Sequence, residues 1–535
     1  MRARAGEAVS WVTVSSKRDI LREVSFGKRI AEDEVDELAR YFVETNQWRE
    51  IFAGEKDVVF GDKGAGKSAI YSLLVARSDD LFDRGILLVA AEKPRGNPAF
   101  KDLVVDPPTS QQEFAGLWKL YFLCLIAVAL RGWGVGGANA QSVIQPLEAA
   151  KLIDKGDPSL QTLIRGALDY VRALLKWESL EAGVKLDPAT GAPAGFTGKI
   201  TLREPSAEER EHGLQSMDAL LVRANSALEE SGHNLWLILD RLDVAFADTE
   251  ELEANALRAL FMVYSDFREY AQLDIKIFLR TDIWGRVTRE GLREASHLED
   301  QVTIRWEDKQ SLLNLVIRRC LRNEVIRDFY SVSEEEILAD ADEQQKLFYR
   351  IFPEQVEAGS RKSPTLDWML GRVRDGTGRV APRELIHLLS ALRDEQLRML
   401  EIGNPEPGGE QLFDRAAFKA ALPEVSRTRL DQTLLSEYPA LRPHLEKLEG
   451  RKTQQTATTL QEIWGLGREE TSKLAHHLVE VGFFERRNTE DGEVYWVPFL
   501  YRDALRLVQG AEGGTAETAD DQSLFDAAEY TGTGQ

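Results

Sequence analysis

The sequence predicts an α/β fold: a parallel sheet covered by helices on both faces, then an all-helical region and a small C-terminal domain. Three observations predict it. Apolar runs at 57–60, 85–91, 235–239, 275–279 and 302–306 alternate with helical segments, the pattern of strands buried on both faces. A glycine-rich octapeptide separates the first run from the helix that follows. Beyond Trp306 strand-like runs stop until two short ones at 483–487 and 494–497.

Along the chain, a helix is expected at 35–48 before the first strand and another at 68–77 after the octapeptide. The second run ends at Lys93-Pro94-Arg95-Gly96, and Pro107-Pro108 breaks the chain. Glu92 and Arg95 after this strand read either as functional groups or as a cap and a surface charge. Ser110 and Glu113 have the spacing of a capping box for an apolar helix reaching Leu130. Residues 132–205 show a poor pattern. Four glycines (Gly132, Gly134, Gly136, Gly137) mark a loop, a helix is expected at 160–175, and 187–198 is rich in Pro and Gly. The stretch therefore reads as an insertion on the core. Ser206 with Glu209 starts a helix whose apolar face holds Met217, Leu220, Leu221, Ala224 and Leu228. A helix at 251–270 joins the third and fourth runs. From 307 to 401 the pattern is helical throughout, and GNPEPGGE at 403–410 reads as a linker. Residues 510–535 carry six acidic groups and no Lys or Arg, and are expected to be a disordered tail. The expected domains are an N-terminal helical segment (1–45), a core (46–306), a helical lid (307–402), a C-terminal domain (411–509) and the tail.

Composition sets limits on function. The chain has 535 residues, and Lys+Arg 67 against Asp+Glu 89 gives a net charge of −22, which argues against wholesale electrostatic binding of nucleic acid. A local basic groove stays open. Two cysteines, Cys124 and Cys320, exclude a disulfide scaffold and a four-cysteine metal site, and the seven histidines show no ligand spacing. The first 20 residues lack the apolar core of a signal peptide. The longest apolar run, 120–130, has 11 residues, against the roughly 20 that span a bilayer. A cytoplasmic location and no membrane partner are expected.

The octapeptide Gly61-Asp62-Lys63-Gly64-Ala65-Gly66-Lys67-Ser68 fits G-x-x-x-x-G-K-[ST] fully, with a strand before it and a helix after it. Its glycines let backbone N–H groups curl around phosphates, and the helix N-terminus adds a favourable field. Lys67 is expected to bridge the β- and γ-phosphates, and the Ser68 hydroxyl to ligate Mg²⁺. The second metal-site carboxylate is expected at the end of another strand, and Leu235-Trp236-Leu237-Ile238-Leu239-Asp240 supplies Asp240. The next carboxylate, Asp243, is the candidate for water activation, or else caps the following turn. No N-K-x-D guanine motif and no L-S-G-G signature occur, which favours ATP over GTP by elimination.

The order of P-loop, hhhhD-R-L-D, F-L-R-T-D, all-helical lid and winged helix resembles bacterial P-loop ATPases related to the AAA+ and STAND classes. The likeness runs from about Phe26 to Leu507 and includes L-D-R-L-D-V-A-F at 239–246 and V-P-F-L-Y-R at 497–502. It implies a P-loop NTPase fold, ATP and Mg²⁺, nucleotide-controlled homo-oligomeric assembly, and a setting of phage defence with a partner effector or of DNA repair and maintenance. It also places sensor 1 at Thr281 or Asp282, at the end of a strand between the P-loop and Asp240 strands. Gly378-Arg379-Val380-Ala381-Pro382-Arg383-Glu384-Leu385 resembles the G-x-P-R-x-L element of origin-recognition-type lids, which makes Arg383 sensor 2. An arginine finger would come from Arg286, Arg289 or Arg293, with Arg293 preferred; ion pairing with Glu290, Glu294 or Glu299 is the alternative. Many AAA+ enzymes carry Glu directly after the strand Asp. Here Arg241 stands in that place, which implies slow hydrolysis.

The C-terminal pattern is a helix at 460–466, a turn at Gly467, a helix at 469–481 and a hairpin turning at 488–492, a winged helix. A DNA reader would place the second helix in the major groove. Residues 451–508 hold 8 basic and 9 acidic groups, so the domain reads equally as a protein-docking or autoinhibitory module. In the tail, Asp521-Gln522-Ser523-Leu524-Phe525 loosely resembles a sliding-clamp-binding peptide without its leading Gln.

Overall fold

A computed structural model of the chain describes residues 16–28, 38, 42–92, 108, 110–154, 159–179, 200–211, 213–242, 250–289, 291, 298–489 and 492–511. They form two compact units. One is built on Glu44–Ile304; the other holds the helix Lys17–Glu23 and the chain from Arg305 on.

The first unit contains α1 (Asn46–Ala53), β1 (Val58–Gly61), α2 (Lys67–Ala76), β2 (Ile86–Ala90), α3 (Gln111–Gly132), α4 (Ala138–Ala149), α5 (Leu160–Ser179), α6 (Met217–Ser231), β3 (Asn234–Leu239), α7 (Glu250–Phe267), β4 (Leu273–Arg280), α8 (Thr281–Arg289) and β5 (Gln301–Ile304). The five strands pair in the order β2-β3-β4-β1-β5, all parallel. Val58, Val59 and Phe60, like 235–239, are buried on both faces, which explains runs without alternation. Gly61, Arg280 and Ile304 share one level at the C-terminal edge, where the ligand-binding loops of open α/β sheets leave.

Helix α3 is the one described helix long and apolar enough to cross a membrane, and 83% of its most apolar window is buried inside the protein. Only half of the expected capping box forms at its start. Ser110 Oγ accepts from the Glu113 amide at 3.1 Å, whereas the Glu113 carboxylate takes the Arg172 Nε–H of α5 at 2.6 Å. Residues 132–205 are more than an add-on. Val143, Ile144 and Leu147 of α4 and Leu163, Ile164, Val171 and Leu174 of α5 lie in the same core as α3 and α6. The approach is close enough that a Cβ on Gly116 would fall 2.8 Å from Leu202 and 3.2 Å from Val171. The glycines of 132–137 obscured this, since they break the pattern only between helices. Residues 187–198 lie outside the described residues.

Two helix expectations change. The helix placed at 35–48 does not run through 42–45; Thr45 accepts from the Trp48 amide at 3.3 Å and starts α1 afresh at Asn46. The helix begun at Ser206 is two. Ser206 and Glu209 close their box (2.7 and 3.2 Å), but Ala207–Glu211 ends before Gly213, whose φ of +85° suits glycine. Ser216 caps α6 by accepting from the Ala219 amide at 3.1 Å.

The second unit includes α9 (Pro382–Glu401), α10 (Arg415–Thr428), β6 (Lys452–Thr456), α11 (Ala457–Trp464), α12 (Arg468–Glu480), β7 (Glu485–Thr489), β8 (Gly492–Trp496) and β9 (Val508–Ala511). Helix α9 starts with Pro382 in its first turn, where the missing N–H costs nothing. The pair α11–α12 and the antiparallel β7–β8 hairpin make the winged helix; β9 adds a fourth strand, in the order β9-β6-β8-β7. Gly510 and Ala511, expected in the tail, thus belong to a strand. Residues 512–535, with the motif at 521–525, lie outside the described residues.

The helical region and the winged helix share one hydrophobic core, with Leu385, Leu389, Phe483 and Tyr501 among its members. The Gly376 amide donates to Gly482 O at 2.7 Å, and a Cβ on Gly376 would lie 2.3 Å from Phe484 O. The segment 403–410, expected as a linker, is tied down: Lys17 Nζ donates to Pro407 O and Gly409 O, both at 2.7 Å, and Arg350 meets Glu410 at 2.7 Å.

Candidate nucleotide site

The eight residues Gly61–Ser68 run without interruption from the end of β1 into α2. Gly64 (φ +82°) and Gly66 (φ +104°) adopt a backbone region closed to most side chains, and Gly66 forms the N-cap of α2. The turn closes through the Ala65 amide onto Asp62 O at 3.2 Å. Lys67 folds back over it, with Nζ 2.8 Å from Gly61 O and 3.1 Å from Asp62 O. The loop therefore presents an ammonium group and the first amides of α2, which no helical carbonyl satisfies. That donor set fits the phosphates of a nucleotide. The Ser68 hydroxyl on α2 and the Asp240 carboxylate are the hard oxygen donors Mg²⁺ takes, and when bound the ion would neutralise phosphate charge.

Asp240 leaves the end of β3 and is 3% exposed. Strand β4 lies between β3 and β1, as the sequence reading expects. Arg241 then adopts φ +60°, a left-handed conformation costly for a side-chain-bearing residue, and turns the chain off the strand at once. Asp243, the candidate for water activation, lies outside the described residues.

The C-terminal sheet edge also holds a residue that the sequence leaves open between a functional group and a cap. Glu92 follows β2 and is fully buried. The β2–β3 ladder pairs Ala90 with Ile238, and the Ala91 amide extends it by donating to Ile238 O at 2.9 Å. Glu92 and Asp240 each follow the Ala90–Ile238 pair by two residues. Two tyrosines fix the backbone there: Tyr121 of α3 donates to Ala91 O at 2.6 Å, and Tyr71 of α2 donates to Glu92 O. Burial pushes the Tyr71 hydroxyl well above its ordinary range; the charges of Asp240 and Glu92 add to the shift, and Arg241 opposes it. The signal in the sequence was a charged residue closing the apolar run Ile86–Ala91.

At the end of β4, Asp282 is gripped by its neighbour Arg280 through two hydrogen bonds of 3.0 and 2.8 Å. Thr281 opens α8, and its Oγ1 is buried with no hydrogen-bond partner among the described residues. Of the finger candidates, Arg286 donates to Glu253 of α7 at 2.6 Å. Arg289 ends α8, and Arg293 lies outside the described residues.

In the second unit, Arg383 sits in the first turn of α9, half-buried, with its Nε unpartnered among the described residues. The next residue, Glu384, is buried and receives Arg429 NH1 at 2.8 Å. Arg429 also donates to Tyr501 Oη at 3.2 Å and lies 3.8 Å from Asp375. On the winged helix, Lys473 pairs with Glu469 at 2.7 Å, Arg486 with Glu493 at 3.5 Å and Arg487 with Glu485 at 2.7 Å.

Neither a family model nor a curated relative matches this chain. Solved structures similar to it include the Aeropyrum pernix ORC1 protein in complex with DNA (12% identity over 89% of this chain and 96% of that one, TM-score 0.36). Cdc6p from Pyrobaculum aerophilum (11%, 91% and 96%, TM-score 0.29) and the Aeropyrum pernix ORC2 protein (12%, 91% and 97%, TM-score 0.30) are others. None of these likenesses is strong enough to pass fold or function to this chain. Its own sheet order and loop geometry make the first unit a P-loop nucleotide-binding domain of the α/β class, which a C-terminal winged helix follows.

Proposed function

We propose that this chain binds ATP with Mg²⁺ at Gly61–Ser68 and hydrolyses it slowly, acting as a nucleotide-controlled switch. The observation that carries the reading is Lys67, whose ammonium rests on the carbonyls of its own loop, where an anion would draw it off. Asp240 at the end of β3 supports it, as does Arg241 in the place where a second carboxylate would speed hydrolysis. In this reading Thr281 and Arg383 sense the γ-phosphate, and the bound nucleotide governs assembly with further copies or with an effector partner, in a setting such as phage defence.

A DNA-dependent ATPase is the second reading, favoured by the winged helix itself. The ion pairs that occupy Lys473, Arg486 and Arg487 weaken its basic face. Steady-state ATP hydrolysis with and without duplex DNA separates the two, with Lys67→Ala as the blank. Slow turnover indifferent to DNA supports the switch. Turnover that rises with DNA, falls with salt and needs residues 451–535 supports the second reading. Wild-type turnover and ATP binding no better than the Lys67→Ala blank reject both.

A further inference from the structure

We infer that Glu92 is the carboxylate that holds and deprotonates the attacking water, in the role that the residue after Asp240 does not fill. The inference rests on the proposed ATPase reading and adds a residue to it. Glu92 is fully buried at the sheet edge, where a carboxylate costs several kcal/mol relative to an apolar side chain. The place itself is specific. Glu92 and Asp240 each follow the last pair of the β2–β3 ladder by two positions, and the charges of both act on the Tyr71 hydroxyl, at the edge from which the phosphate loop also leaves.

The surroundings hold it there. Tyr121 and Tyr71 come from two different helices, and each gives its hydroxyl to one of two successive carbonyls, Ala91 O and Glu92 O. They replace the strand hydrogen bonds that end at Ala91 and fix the point at which the Glu92 side chain departs. This is the support a reacting group needs if it is to keep its geometry. Tyr71 lies one turn along α2 from Lys67 and Ser68, so the phosphate-loop helix itself sets the Glu92 backbone. Position 241 offers an arginine on a left-handed backbone, and a guanidinium cannot accept a proton from water.

In the step assigned to it, the water oxygen forms a bond to the γ-phosphorus. The bond from that phosphorus to the β–γ bridging oxygen breaks, its electron pair leaving on ADP. The Glu92 carboxylate takes one water proton and returns it to the released phosphate, so that ATP and water give ADP and phosphate.

The test uses the full-length protein, Glu92→Gln, Glu92→Asp and Asp243→Asn, read by ATP titration, thermal unfolding and single-turnover hydrolysis. The expected result for Glu92→Gln is an ATP Kd within about threefold of wild type, an unfolding temperature no lower than wild type and hydrolysis at least about 100-fold slower. The variant then retains intact ATP through gel filtration, whereas wild type elutes with ADP. Glu92→Asp should recover part of the rate. Wild-type hydrolysis that survives Glu92→Gln overturns the inference and leaves the ATPase reading standing, as does a loss confined to Asp243→Asn. A Glu92→Gln protein that unfolds early or loses ATP binding marks a structural glutamate and also overturns it. If wild type fails to hydrolyse ATP, the proposed function fails first and Glu92 with it.

Discussion

At the N-terminal end of the central sheet, Lys276 of β4 is fully buried, and its ammonium meets the Asp57 carboxylate at 2.8 Å and Lys56 O at 3.1 Å. It lies 4.2 Å from the centre of the Trp236 ring, and Tyr264 donates to the second Asp57 oxygen at 3.2 Å. At the C-terminal end of the sheet, Asp240 and Glu92 are both buried with their charges acting on the Tyr71 hydroxyl, and Lys67 rests on backbone carbonyls. At one end the fold pairs Lys276 with Asp57. The other gathers two acids and a lysine on separate strands and a loop, an arrangement suited to a charged ligand. In the proposed reading, the first set of charges stabilises the fold and the second is held for chemistry.

The largest expected effect breaks the closed end. Lys276→Ala leaves Asp57 with a buried charge and removes the cation beneath Trp236, at an expected cost of about 3–5 kcal/mol. Urea unfolding followed by Trp fluorescence checks it; a loss under 1 kcal/mol would mean that the pair is solvated and the contrast between the ends is weak. At the open end the expectation reverses. Lys67→Ala should weaken ATP binding about 100-fold, some 2.7 kcal/mol, and leave unfolding nearly unchanged, because water can satisfy the Gly61 and Asp62 carbonyls on which it rests.

The sequence made the open end legible and hid the closed one. A phosphate loop needs its glycines and lysine at fixed local spacing, so Gly61–Ser68 was visible whole. Asp240 was visible because it ends the most apolar strand. Lys276 and Asp57 are 219 residues apart, and no local pattern announces their contact. Glu92 is legible as a charge closing an apolar run, but its weight comes from Tyr71 and Tyr121, which no local pattern ties to it. The four residues of β9 are all exposed and show no alternation, so its pairing with β6 could not be read from Val508-Gln509-Gly510-Ala511. The half-made box at Ser110 failed through competition, because Arg172 from a helix far along the chain outbids a neutral amide for Glu113.

A smaller effect sharpens the closed end. Asp274 of β4 is pushed up to about 6, chiefly by burial, with Asp57 and Asp300 adding to the shift and Lys276 and Trp236 opposing it. The folded chain then holds its proton more tightly than the unfolded chain does. This contribution is full below about pH 4, falls as pH rises through 6, and leaves an ionised, strained carboxylate at pH 7–8. Asp274→Asn should stabilise the protein by up to about 3 kcal/mol at pH 7.5, and the gain should shrink steadily between pH 6 and 4. Urea midpoints measured across that range decide it. A gain that does not change with pH would assign the effect to packing.

The smallest effect on the fold is expected at Thr281. Its hydroxyl is buried without a hydrogen-bond partner among the described residues, so the fold already bears the cost of that group. Thr281→Val keeps the shape and removes the unsatisfied oxygen, and unfolding should move by no more than about 1 kcal/mol, toward greater stability. In the proposed reading that hydroxyl is used when nucleotide binds. If that use is to sense the γ-phosphate, turnover should fall about tenfold, or ~1.4 kcal/mol, with little change in ATP affinity. Asp282→Asn gives the contrast, because it loosens the grip of Arg280 and should lower stability as well. Turnover unaffected by Thr281→Val would take the sensor role from the hydroxyl, and the open end would then act through Lys67, Asp240 and Glu92 alone.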